Sequence, residues 1–310
     1  MNSRREFLRS SLALGAALSL SPWRKVDAAE ATLSVPSTIP ARSVLVAVRD
    51  GSRSAMVDQA LESLGGIGAF VKPGQTVCVK PNIGWDAPPE RGANTHPELV
   101  GRVVRLCLEA GAKSVSVFDN TCDQWQLTYE HSGIEKAARD AGAHVVNGKD
   151  VSLYREVSIP GGVKLKSALV HSLVLDSDVL LNLPVLKHHS GTGMTAAMKN
   201  LMGAVWDRGF YHQNNLHQAI ADFLTLRQPD LNLIDAYHPM VRNGPRGKSV
   251  ADVVEMRTLL VSVDPVAVDA AAAKMLGLDP AKIDYIKIGD AMKLGTMDLS
   301  QVEVRRFSLT

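Results

Sequence analysis

Short apolar runs that each end in a polar residue, separated by amphipathic segments, constrain this chain more than any other feature. Residues 44–48, 76–79, 115–118, 144–146, 179–183, 231–234 and 259–263 read as strands. Helices are predicted over 54–64, from a Thr95–Glu98 capping box to Gly111, and over 133–141, 216–226 and 265–276. Gly161-Gly162 within 159–163 suggests a hairpin at a sheet edge, and 302–307 a terminal edge strand. Strands alternating with helices predict an α/β fold: a layered, mostly parallel sheet flanked by helices, with an antiparallel edge hairpin.

The strand ends carry the chemistry. Lys80 and Asn82, Asp119 and Asn120, Asn182 and Lys187, Asp235, and Asp264 each follow an apolar run. In an open parallel sheet the C-terminal strand ends share one edge, where ligands bind. Asp264-Pro265 reads first as a helix start. Lys80 and Lys187 cannot be caps, because lysine accepts no hydrogen bond, so they point to an anionic ligand or an ion pair.

One stretch concentrates these groups. Asn182 to Gly203 leaves a strand, passes Lys187, His188, His189 and the small-residue loop 190–193, and is expected to enter a helix near Met194 that carries Lys199 and Asn200. On extended backbone His188 and His189 face opposite ways, so one of them serves a given site, His189 before His188. The loop and Ala196 match a loose Gly-x-Gly-x-x-Ala pattern, a weak sign of a nucleotide turn because Lys-His-His intervenes. A metal would have to be assembled from distant residues, His96, Asp119 and His189 being the candidates.

The N-terminus reads as an address. Ser3-Arg4-Arg5-Glu6-Phe7-Leu8 resembles a twin-arginine export signal, followed by a short, weakly apolar segment and a small-residue cleavage site at Val26-Asp27-Ala28. The expected organisation is a signal peptide over 1–28, a flexible tail over 29–42 and a single α/β domain over 43–310. Export through the twin-arginine machinery would place the mature protein in the periplasm, with no stable membrane span after cleavage. The full chain carries +2, but residues 1–28 hold a net +3, so the mature protein is near neutral and no nucleic-acid surface is indicated.

Three cysteines occur, Cys78, Cys107 and Cys122, with no Cys-x-x-Cys spacing, which rules out a cysteine-ligated iron–sulfur cluster within this chain. Cys78 and Cys107 read as core residues. Cys122, in a loop after Asp119, is the candidate for chemistry, with reactivity and a disulfide both open.

Several motifs together resemble the domain of unknown function 362 family: Lys80-Pro81-Asn82, Thr95-His96-Pro97, Asp119, the Asn182–His189 block, Lys199-Asn200-Leu-x-Gly203, Asn243-Gly-Pro245 and Asp264-Pro265-Val-Ala-Val-Asp269. The resemblance runs from about Val44 to Gly277. Many relatives look like fusions to ferredoxin-type modules, which implies redox partner proteins, although this chain lacks the cluster cysteines.

These residues lead to one expectation and its competitor. The expectation is an exported enzyme acting on a small anionic substrate, metal-assisted if the candidate ligands converge. Lys187, His189 and Asp119 would be catalytic, and Lys80, Asn82, Asn182, Lys199 and Asn200 would bind substrate. The competing class is a non-catalytic protein that holds or matures a metal or cofactor.

Overall fold

The computed structural model describes Arg24–Lys25 and residues 43–309. The expected export signal, apart from those two residues, and the expected tail lie outside the described residues.

The strands are β1 (Arg24–Lys25), β2 (Val44–Arg49), β3 (Thr76–Pro81), β4 (Ser114–Val117), β5 (His144–Val145), β6 (Tyr154–Ser158), β7 (Ser167–His171), β8 (Val179–Leu183), β9 (Val185–His189), β10 (Gly193–Thr195), β11 (Leu231–Met240), β12 (Thr258–Ser262) and β13 (Glu303–Ser308). The main sheet runs β1-β13-β2-β12-β11-β8-β3-β4-β5, with β9 beside β11 and β10 beside β9. Within this sheet all strand pairings are parallel except those made by β12 and β10. The α/β architecture is therefore the one the strand–helix alternation predicts.

Period-two alternation sorts the strand residues into two apolar layers. Val77, Val79, Leu181, Leu183 and Val261 join one, packed under α1 (Arg53–Glu62), α2 (Pro97–Glu109), α3 (Trp125–His131) and α4 (Ile134–Asp140). Cys78, Leu180, Ile234 and Leu260 join the other. That layer lies under α6 (Ala197–Asn200), α8 (Leu216–Phe223), α9 (Pro265–Met275) and α10 (Asp284–Ala291), with α5 (Ser172–Asp176) and α7 (Gly209–Gln213) at its margin. α2 buries Leu99, Val100, Val103, Val104 and Cys107, the helical stripe that fastens it to the sheet.

Several local expectations are corrected. The antiparallel hairpin is present as β6 and β7, but it forms a separate two-stranded sheet rather than an edge of the main one. The 190–193 loop is the turn of the β9–β10 hairpin, so it offers no helix N-terminus, and the helix beyond it is a single turn starting at Ala197. The N-cap of α2 is His96, not Thr95. The Thr95 hydroxyl is spent between strands, donating to Leu183 O and accepting from Asn82 N, and Glu98 accepts from Ser54 N.

Asp264 is also displaced from the expected edge. β12 runs against its neighbours, so its end faces the opposite side of the sheet. There the Asp264 carboxylate caps α9, accepting from Val266 and Ala267 N–H. At the other edge β3 leads through α2 to β4 on one side, while β8 is flanked by β11 on the other. The direction of strand order thus reverses between β3 and β8, the position where an open sheet leaves a crevice.

Candidate functional site

A row of polar side chains crosses the sheet at this reversal. Lys80 pairs in register with Asn182, Asn182 with Asn232, and Asn232 with Ser262, so all four project to the same face of adjacent strands. α6 closes over them. Asn82 Nδ2 donates to Asn200 Oδ1 (2.9 Å), Asn200 Nδ2 to Asn182 Oδ1 (2.8 Å), Asn182 Nδ2 to Asn232 Oδ1 (2.8 Å), and Asn232 Nδ2 to Ser262 O (3.2 Å). Four amides thus align head to tail, each polarising the next in a buried setting. Asp269 fixes the helix turn above by accepting from Ala197 and Met198 N–H at 2.6 and 3.0 Å. Burial pushes the Asp269 carboxyl up to about 7.

Lys80 and Asp119 are committed to each other. Nζ lies 2.8 Å from Oδ1 with both side chains out of solvent, and Asp119 Oδ2 accepts from Ile83 N–H at 2.7 Å. Burial lowers the Lys80 pKa, and Asp119 opposes that. Gly203 abuts the pair: a Cβ there would stand 1.8 Å from Asp119 Oδ1, which accounts for glycine in the Lys199–Gly203 motif. Lys80 and Asp119 are therefore placed as a strut beneath the site, each already engaged by the other.

Above the strut, cations gather without counter-charge. Lys187 Nζ donates to Asn82 Oδ1 (3.0 Å) and Ala93 O, both neutral. Lys199 Nζ touches Met202 Sδ at 3.2 Å and no oxygen. Arg208 binds Thr121 O and stands 3.2 Å from Cys122 Sγ. None of the three makes an ion pair with a carboxylate among the described residues. Burial brings Lys187 down from 10.5 to about 7 and Lys199 to about 8, each opposed by the nearby Cys122. Half-buried Lys149 shares the same surroundings.

His189 borders this group in a defined state. Burial, then the Lys199 and Lys187 charges, hold it down to about 3. Its Nδ1 accepts from Gly191 N–H at 3.0 Å, so the neutral ring carries its proton on Nε2. In that tautomer His189 presents a hydrogen-bond donor from Nε2. His188 is held apart, its Nδ1 accepting from Gly244 N–H. A Cβ on Gly244 would lie 1.8 Å from His188 O, so the Asn243-Gly-Pro motif is a close backbone approach.

His96 belongs elsewhere. It lines a cleft of about 320 Å³ with His238, Glu255 and Val253, next to the buried Arg53–Asp235 ion pair. No group of three His, Cys, Asp or Glu among the described residues is placed to hold a metal ion, so the candidate triad His96, Asp119 and His189 is not assembled. All three cysteines are free thiols, Cys122 alone being exposed.

The strand-end reading therefore brings Lys187, His189, Lys199, Asn82, Asn182 and Asn200 together. It missed Arg208, Asn232 and Asp269. A polar residue inside the apolar run 231–234 was the available signal for Asn232, and the second aspartate of the Asp264–Asp269 motif for Asp269. Arg208 lies in a polar connection with no distinguishing pattern.

The model of the family described as Domain of unknown function (DUF362) matches residues 77–274. The chain is 30% identical over 241 residues to the thylakoid-associated protein sll1697 of Synechocystis sp., covering 75% of this chain and 73% of that one. Among solved structures, the lactate racemase apoprotein from Thermoanaerobacterium thermosaccharolyticum matches with a TM-score of 0.44 at 12% identity, over 79% of this chain and 56% of its own. A structural-genomics protein from Thermotoga maritima matches with a TM-score of 0.46 at 12% identity, over 72% of this chain and 58% of its own. The chain thus spans little more than half the length of either solved protein.

Proposed function

The chain belongs to the domain of unknown function 362 family, and for this member we propose an enzyme that binds a small carboxylate or phosphate at the β3–β8 crevice. The observation that carries this reading is the gathering of Lys187, Lys199 and Arg208 without a carboxylate partner. Cations held in a poorly solvated position gain most from an anion that arrives with its own charge. Arg208 offers a planar fork for paired oxygens, and the lysines offer point charges.

The lysine pKa values suit acid–base work near neutrality. An amine lowered to about 7 exchanges a proton within the physiological range, so Lys187 is the assigned proton acceptor and donor. His189 supplies an Nε2–H donor to a developing negative charge. The asparagine row and the Lys80–Asp119 strut hold Asn82, and with it the Lys187 ammonium, in one place. The resemblance of residues 3–8 to a twin-arginine signal extends the proposal to a periplasmic location, which N-terminal sequencing of protein recovered from the periplasm would test.

Calorimetric titration with orthophosphate, oxalate and acetate tests the binding. Saturable binding is expected, weakened about tenfold or more by Lys187→Met and by Lys199→Met, as loss of a charge-assisted contact implies. Wild-type protein that binds none of these anions would remove the reading. Binding without turnover across a panel of small acids would place the protein in the holding class instead.

A further inference from the structure

Cys122 sits on the loop that carries Asp119, Asn120 and Thr121 past the end of β4. Its backbone N–H donates to Gly84 O at 2.8 Å. A Cβ on Gly84 would lie 3.9 Å from Cys122 Sγ and 3.5 Å from Asn82 Oδ1, the oxygen that receives Lys187. The sulfur therefore stands beside the cationic group, with Arg208 Nη1 at 3.2 Å.

Lys199 lies within electrostatic reach of the same sulfur. Its side chain is 8% exposed, its ammonium meets no oxygen, and Cys122 is the group that most favours its charge. A fixed anion built on this sulfur would supply what Lys199, Lys187 and Arg208 lack. Cys78 and Cys107 lie buried in the apolar layers, where burial pushes both thiols up to about 12.

Resting on the small-anion reading above, we propose that Cys122 is an oxidative modification site whose sulfinate product occupies the anion seat and closes it. Hydrogen peroxide is the oxidant. The sulfur attacks one peroxide oxygen, the O–O bond breaks, and sulfenic acid and water result. A second peroxide adds the second oxygen and leaves a second water. The sulfinic acid then releases its proton to solvent, and the sulfinate takes the place of a bound carboxylate or phosphate. Sulfur loses two electron pairs and each peroxide gains one. Burial keeps the other two thiols reduced.

Intact full-length protein, reduced and then titrated with hydrogen peroxide, tests this by peptide mass spectrometry and orthophosphate calorimetry in parallel. The Cys122 peptide should gain two oxygens, and phosphate affinity should fall about tenfold or more, as the loss of charge-assisted contacts requires. Cys122→Ser should bind phosphate before and after peroxide alike, because the Cys122 side chain is not among the groups that hold the anion. Lys199→Met should slow the modification. Cys122 that stays reduced while Cys78 or Cys107 reacts overturns the proposal. A reduced protein that binds phosphate and still binds it after Cys122 is oxidised overturns this proposal alone. A reduced protein that binds no phosphate sinks the small-anion reading, and this proposal with it.

Discussion

Lys80 and Asn182 stand opposite each other in register across β3 and β8, both without solvent exposure, and Asn200 bonds to both at once. Its Nδ2 donates to the carbonyl of one and the side-chain oxygen of the other. The single turn of α6 is thereby tied to the exact strands between which the crevice opens. Asn182 is the middle of this arrangement, giving to Asn232 and Ala197 O while receiving from Asn200.

Asn182→Leu should lower stability by about 2–4 kcal/mol. Leucine fills the volume but leaves the Asn232 oxygen and Ala197 O without donors and Asn200 Nδ2 short of one acceptor, each costing about 1–3 kcal/mol less whatever relaxation recovers. Urea unfolding of the variant against wild type measures this. A change below about 0.5 kcal/mol, the range of neutral surface substitutions, would show that the row carries no energetic weight.

The Lys80–Asp119 pair predicts a coupled cost. Lys80→Met or Asp119→Leu alone strands a charge in the core and should cost about 3–5 kcal/mol, whereas the double substitution should cost less than the sum. A double-mutant cycle in urea reads the coupling directly. Additive losses would mean that the two groups do not stabilise one another.

Much of this was legible beforehand, for physical reasons that differ by residue. A lysine at the end of an apolar strand cannot be a cap, so Lys80 and Lys187 stood out, but nothing in the pattern told a strut from a ligand contact. That distinction depends on Asp119, just past the end of the neighbouring strand β4, coming within reach of Lys80, a proximity a linear pattern does not encode. The direction of β12 was equally hidden, since an antiparallel strand and a parallel one share the same alternation. Hence Asp264 was grouped with an edge it does not share. Thr95 followed by Glu98 has the spacing of a capping box, and the tertiary demand of two strand carbonyl and amide groups overrode it.

Gly203→Ala should disturb the strut without touching either charge. The added methyl would approach Asp119 Oδ1 to 1.8 Å and Lys80 Nζ to 2.8 Å, both in a packed and rigid setting. A loss of about 3 kcal/mol or more is expected, at the upper end of overpacking costs. Full stability in the variant, again by urea unfolding, would mean that the turn after α6 can move away from the pair.

The two depressed lysines give the fold and the site opposite pH responses. Between about 7 and 10.5 the unfolded chain keeps the Lys187 proton and the folded chain has lost it. The unfolded state then binds more protons, so stability rises with pH across that window. Lys199, lowered to about 8, acts in the same sense over a narrower range. Asp269, raised to about 7, works below this window: its contribution is present at low pH and lost as pH climbs from 3.8 through 7. Anion binding runs the other way, because the protonated ammonium is the form that holds the ligand. Affinity for sulfate, a dianion throughout, should fall as pH rises through 7 to 8, with protons taken up on binding. Calorimetry in buffers of different ionisation enthalpy reads that uptake. Lys187→Met should remove most of it and flatten the alkaline rise in stability measured by urea unfolding. A sulfate affinity unchanged from pH 6 to pH 9 would exclude both lysines from the site.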